Sequence, residues 1–179
     1  MPIASSDILF KYSIKTGSAG NSLAQTDVNA SLGKYISTTL WTGGNLHDLF
    51  SPITGTENMS GQVDYRCIFI HNNHGSLTFQ GVVVWISTQG ASATASIGVD
   101  PTAASGISSS SAQAVQVANT TTAPAGVTFS TPLTEGTGIS LGDIEAGQCI
   151  AIWIRRTAHN TLAYNFDTIT LGISGDTEA

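Results

Sequence analysis

The chain has 179 residues, enough for one sizeable domain and few for two. Its net charge of −6 arises from only 6 basic and 12 acidic side chains. This balance argues against a nucleic-acid partner, because nucleic-acid surfaces need clustered Lys and Arg. Low charge combined with 41% apolar residues also argues against intrinsic disorder. Gly, Ser, Thr, Ala and Asn fill much of the remainder, a composition that favours strands and loops over helices.

The sequence predicts no membrane partner and no secretory signal. The opening MPIASSDILF lacks a basic region followed by a sustained apolar one. No apolar run approaches the roughly 18 residues needed to cross a bilayer. Cys67 and Cys149 each sit in a strand-like run, so two buried free thiols are favoured over a disulfide between them.

The first third of the chain predicts two strands and one short helix. Residues 7–13 alternate and place Phe10 and Tyr12 on one face of a half-buried strand. Residues 15–33 are polar and Gly-rich, which indicates an arm or a long loop. Residues 34–41 return to strand chemistry. Residues 42–61 contain the only helical turn that we expect, on the spacing of Leu46, Leu49 and Phe50.

The middle of the chain predicts the centre of the core. Apolar runs at residues 67–70 and 82–86 flank a cluster of turn formers at residues 71–76. This pattern predicts an antiparallel hairpin over residues 64–87, covered on both faces because neither run alternates. The second most apolar run, at residues 149–155, should lie beside it.

The whole chain shows eight to ten strand-like segments with turn signals every 8 to 15 residues. This spacing predicts an all-β domain, an antiparallel β-sandwich of jelly-roll type. We expect an N-terminal strand and extended arm at residues 1–33, the sandwich domain at residues 34–174 and a frayed tail at residues 175–179.

The residues whose side chains could act as catalysts or ligands predict neither an enzyme nor a metal or cofactor site. His47 and Asp48 are adjacent, and no nucleophile elbow or zinc-protease motif accompanies them. His71 and His74 would need further ligands to hold a metal, and their own segment supplies no Cys, Asp or Glu.

The charged residues at the ends of the apolar runs predict structural ion pairs. We expect Asp64 or Asp167 to pair with Arg66 or Arg155 on a neighbouring strand. The alternative is a carboxylate-recognition site built on a forked guanidinium.

The three tryptophans divide into core and surface. Trp85 and Trp153 lie within apolar runs, which predicts core packing for both. Trp41 precedes Thr42-Gly43-Gly44 and is the one expected at the surface. Together with Phe10 and Tyr12, it is our candidate for contact with a partner.

A longer pattern covers roughly residues 46–157. It comprises Leu49-Phe50, Gly61, the run DYRC from Asp64, Asn72, Trp85-Ile86, Gly98, Asp100-Pro101, Gly147-Gln148 and the run WIRR from Trp153. In this pattern the chain resembles small structural proteins encoded beside capsid genes in tailed bacteriophages, which decorate or cement the head.

The resemblance implies an all-β virion protein on the capsid surface, made in the bacterial cytoplasm. It further implies a homotrimer at local threefold positions, with the major capsid protein and the chain itself as partners. Residues 7–33 could then add a strand to a neighbouring chain. The alternatives are a tail or baseplate component, or a carbohydrate-binding module with an aromatic platform near Trp41 or Tyr164.

Overall fold

A computed structural model of the chain describes residues 2–24, 30–162 and 167–177. These residues form two antiparallel sheets and one short helix, which confirms the prediction of an all-β sandwich. The helix is α1 (Gly55–Ser60). The strands are β1 (Ile8–Ile14), β2 (Tyr35–Leu40), β3 (Val63–Asn72), β4 (Phe79–Thr88), β5 (Ala93–Val99), β6 (Ser105–Gly106), β7 (Ile139–Ile144), β8 (Gln148–Ala158) and β9 (Thr170–Thr177).

The two sheets differ in size. The main sheet has the order β2-β1-β3-β8-β5, and the short β6 also pairs with β8. The small sheet has the order β7-β4-β9. From β3 onwards the longer strands alternate between the sheets, as in a double-sheet jelly roll. The division into six strands and three is less even than in an eight-stranded jelly roll.

The predicted central hairpin is wrong, because β3 and β4 lie in different sheets. β3 pairs with β1 and β8, whereas β4 pairs with β7 and β9. Asn72 explains the crossing: its buried side-chain amide donates to the carbonyls of Leu77 (2.8 Å) and Ile144 (2.9 Å) and so ties the connection to β7 of the small sheet. The position of β8 beside β3 is confirmed, and both faces of β3 are buried as predicted. The same prediction is wrong for β4, whose outward-facing Val83 and Trp85 are only half-buried.

The main sheet is the middle layer of the molecule. Its inner face and the small sheet enclose a core that includes Ile68, Ile152 and Val84. Its outer face carries a second core, in which Phe69 and Trp153 are fully buried. That second core is covered by irregular chain, through Leu32, Ala114 and Val117, rather than by a third sheet. Full burial of a large apolar side chain such as Phe69 contributes about 1.5–3 kcal/mol to stability.

The sandwich extends beyond the predicted boundaries at both ends. β1 lies between β2 and β3 and is hydrogen-bonded on both sides, so it is not free to add to a neighbouring chain as an arm. Leu32, in the segment predicted to belong to that arm, is fully buried in the second core. At the other end, β9 runs through the predicted tail as far as Thr177. Residues 178–179 lie outside the described part.

The helix lies in the predicted segment but on other residues. α1 begins after Thr54, whose hydroxyl accepts from the Glu57 amide, while the Glu57 carboxylate accepts from the Thr54 amide. It ends at Gly61, which adopts the left-handed conformation at φ 69°. These are a capping box and a glycine cap, both visible in the sequence, and they outweigh the apolar spacing of residues 46–50.

Candidate functional site

A cleft of about 1030 Å³ opens at one end of the sandwich. Its walls come from the segment after β2, the turn between β4 and β5, the end of β8 and the chain leading into β9. These parts meet because β2, β4 and β8 end there, and β5 and β9 begin there. The longest wall is the irregular chain from Trp41 to Thr54, and loops of that length are often functional.

The aromatic wall of the cleft brings together the three predicted partner-contact residues. Trp41 is half-buried, and its ring meets Phe10 edge to face at 6.1 Å between centroids. Tyr12 donates its hydroxyl to the Asp48 carbonyl at 2.9 Å. Burial, together with the nearby Asp48 carboxylate, raises the pKa of Tyr12 to about 12, so the phenol stays protonated. Trp41 lines the cleft directly, while Phe10 and Tyr12 hold the wall behind it.

Two of the charged groups in the cleft are already engaged. Arg156 forms an ion pair with Asp64 and donates to the Ser51 carbonyl at 2.8 Å. The Asp167 carboxylate accepts from the Ser92 hydroxyl at 2.7 Å and from the backbone amides of residues 91–93. Burial alone would raise the pKa of Asp167, but these hydrogen bonds outweigh it and lower the pKa. Both groups therefore fix the loops of the cleft in place.

Two further polar atoms at the cleft are buried and lack a hydrogen-bond partner among the described residues. Asp48 is half-buried, and its Oδ2 accepts no hydrogen bond from the residues described. The indole N–H of Trp41 likewise has no acceptor within the described ranges. Asn58 donates its amide N–H to the Thr161 carbonyl at 2.7 Å, which leaves the amide oxygen free to accept. Leu46 and Leu162 stand at the rim, 61% and 92% exposed.

The predicted ion pairs take a different form from the one expected. Asp64 pairs with Arg156, the residue directly opposite it on β8. Arg155 points to the other face of β8, where it donates to the Ser96 hydroxyl at 2.8 Å and lies over the Phe129 ring. Arg66 lies over the Tyr12 ring at 5.5 Å. Strand alternation separates Arg155 from Asp64, and the sequence pattern alone could not set the pairing of β3 with β8.

His71, His74 and the two cysteines occupy structural positions. His71 is buried on the outer face of the main sheet, whereas the ring nitrogen of His74 accepts from the Leu77 amide at 2.9 Å within the turn. The described residues contain no group of three or more His, Cys, Asp or Glu suited to a metal ion. Cys67 and Cys149 are free and buried, as favoured from the sequence. Burial raises the pKa of Cys149 to about 12, which keeps its thiol protonated.

The other two tryptophans differ from each other. Trp153 is fully buried in the second core and donates to the Asp100 carboxylate at 2.8 Å, as core packing predicts. Trp85 instead lies half-buried on the outer face of the small sheet, over Gly172 of β9. The reason is alternation, since Val84 and Ile86 point inward and leave Trp85 pointing outward. Tyr164, the other suggested platform residue, lies outside the described residues.

Comparison with known proteins gave no relative. No protein-family model matches the chain, and neither the curated proteins nor the solved structures contain a significant match. Among the residues described, no helix has the length and apolar character required to cross a membrane.

Proposed function

We propose that the chain is a structural protein of a tailed-phage virion that binds the outer surface of the capsid and stabilises the shell. It acts as a homotrimer at local threefold positions. The observation that carries this proposal is that residues of the phage-like sequence pattern contact one another in the folded chain. Asp100 accepts from Trp153, Asp64 pairs with Arg156, and Asn72 joins the two sheets.

These contacts give the pattern a structural meaning. Each of them joins segments that are distant in sequence. Gly61 and Gly147 of the same pattern adopt the left-handed conformation just before β3 and β8. A pattern made of such residues specifies a scaffold rather than a reaction. Such a similarity is expected between structural proteins, whose role is to bind a partner and stabilise an assembly.

The surface suits an assembly role. With 18 charged side chains in 179 residues, little charge has to be desolvated when the surface is covered. Several large apolar side chains are also exposed at separate places, namely Leu23, Leu40, Met59 and Leu133. Many copies bound across the joints of a shell stabilise it by mass action, and a symmetric trimer adds multivalency.

Two measurements test the proposal. Light scattering on a sizing column should give three times the 18.5 kDa chain mass. The purified protein should then sediment with tailed-phage capsids that lack their decoration protein and raise the temperature at which those capsids open. Sedimentation with isolated tails and not with heads would assign the chain to the tail or baseplate instead. A protein that binds neither would contradict a virion role.

A further inference from the structure

The cleft at the end of the sandwich carries polar groups suited to a ligand rich in hydroxyls. Arg156 is paired with Asp64, and Asp167 is enclosed by four hydrogen bonds. The groups that remain around them are the amides and hydroxyls of Asn45, Asn58 and Thr161, together with His47 and the carboxylate of Asp48. An anionic ligand would need an unpaired positive charge, whereas amides, hydroxyls and a carboxylate together supply the donors and acceptors that ligand hydroxyls require.

Asp48 adds an acceptor to this set. Its carboxylate is half-buried, forms no ion pair within the described ranges and has an oxygen that accepts no hydrogen bond there. An ionised carboxylate has acceptors only, so it pairs naturally with neighbouring hydroxyl groups, which donate. A ligand hydroxyl that donates to this carboxylate would give it a hydrogen bond that the described residues do not supply.

Trp41 supplies an apolar surface beside these polar groups. Its ring lines the cleft and is held in place by the edge-to-face contact with Phe10. An indole presents a flat apolar body together with one N–H donor, and a sugar ring presents a C–H face bordered by hydroxyls. The cleft volume of about 1030 Å³ lies at the top of the range of roughly 300–1,000 Å³ for small-molecule sites, so it has room for several sugar units.

We propose that this cleft binds a neutral oligosaccharide, with Trp41 as the stacking surface and Asp48 as the hydrogen-bond acceptor. This activity goes beyond capsid attachment and does not depend on it. The cleft lies at one end of the sandwich, so a protein attached to a shell by another face would still present it to solvent.

Calorimetric titration with defined sugars tests the proposal. The probes are maltohexaose, cellohexaose, chitohexaose and a neutral dextran, each titrated into the full chain. At least one should bind, and Trp41→Ala should weaken that binding by at least about tenfold, as expected for truncation of a central aromatic contact. Asp48→Asn, which keeps the shape of the side chain, should also weaken it.

The control is Trp85→Ala, which removes the half-buried tryptophan of the small sheet, outside the cleft lining. It should leave the affinity unchanged, and circular dichroism should show that every variant folds. If no probe binds at millimolar concentration, or if Trp85→Ala abolishes binding while Trp41→Ala does not, the proposal is overturned. A cleft that instead selects peptides from a displayed library, with loss in Trp41→Ala, would make it a protein-docking site and overturn the proposal as well.

Discussion

Asp100 shows how one carboxylate holds the irregular layer against the main sheet. It follows β5 and is only 3% exposed. One oxygen accepts from the Trp153 indole at 2.8 Å and from the Val115 amide at 2.9 Å, and the other accepts from the Thr102 amide at 2.9 Å. Three donors from separate segments thus share one buried acceptor, and each would be unsatisfied without it.

Asp100→Ala should therefore destabilise the protein by about 3 kcal/mol, because it leaves buried donors without a partner. The matched control is Asp143→Ala. Asp143 is exposed and accepts only from the Gly81 amide in the described structure, so its loss should cost at most about 1 kcal/mol. Urea denaturation of both variants measures the difference. Equal losses would show that the three donors find other partners.

His71 makes stability depend on pH. It is 1% exposed, and its Nδ1 has no partner in the described part of the chain. Burial, helped by the neighbouring Lys11 ammonium, lowers the pKa of His71 from 6.5 to about 4. The folded state therefore favours the neutral ring, while the unfolded chain takes up a proton near pH 6.5.

The sign follows from proton linkage. Between pH 6.5 and about 4 the unfolded state binds more protons at His71 than the folded state, so stability falls as the pH falls through that window. Above pH 6.5 this contribution is absent. His71→Gln should remove it, so the difference in melting temperature between wild type and variant should change across the window and stay constant from pH 7 to 8. A constant difference over the whole range would contradict the assignment.

Among the elements, the packing of Trp85 over Gly172 links β4 to β9. The two residues are directly opposite each other, and a β-carbon at Gly172 would lie 2.2 Å from the Trp85 ring. The glycine thus provides the space on which the indole rests, and the indole covers backbone that the glycine leaves bare. This contact explains a large aromatic residue on the outer face of a small sheet.

Gly172→Ala should displace the indole, lower the melting temperature and shift the tryptophan emission to longer wavelength. Gly106→Ala is the control, since Gly106 also lies in a strand but has open space at its β-carbon and no left-handed φ. Adding Trp85→Val to Gly172→Ala should recover part of the lost stability, because the clash is then gone. No recovery would place the strain elsewhere.

The sequence predicts the strands and their burial more readily than it predicts which strands pair. The runs that form β3 and β8 are predictable as buried neighbours because apolar content and β-branched residues decide burial locally. The predicted hairpin is wrong because turn formers, like those at residues 71–76, are compatible with a crossing between sheets as well as with a hairpin. The hydrogen bonds of the buried Asn72 amide decide between the two. The cleft is formed by loops from four parts of the chain. The sequence alone therefore indicates only Trp41 and its neighbours as candidate site residues.

At the scale of the whole molecule, the N-terminal residues are an integral part of the β-sandwich. β1 is hydrogen-bonded to β2 and β3, and Leu32 is buried in the second core. A fragment lacking residues 1–33 would expose one edge of β3 and open that core. It should therefore lose cooperative unfolding in calorimetry, whereas a chain ending at Thr177 should keep it. A truncated fragment that unfolds cooperatively would show that the sandwich stands without β1.

The double covering of the main sheet also bears on how β3 and β8 find their alignment. In most strands a slip of one residue turns apolar side chains to water, and this cost fixes the alignment. Here Ile68 and Phe69 point to opposite faces, and both faces are buried, so a slip would exchange one apolar surface for another. The contacts that distinguish the correct alignment are polar ones at the ends of β3: Asp64 opposite Arg156, and Asn72 donating to the Ile144 carbonyl of the small sheet. The few polar residues of the central strand therefore select one pairing from several of similar apolar burial.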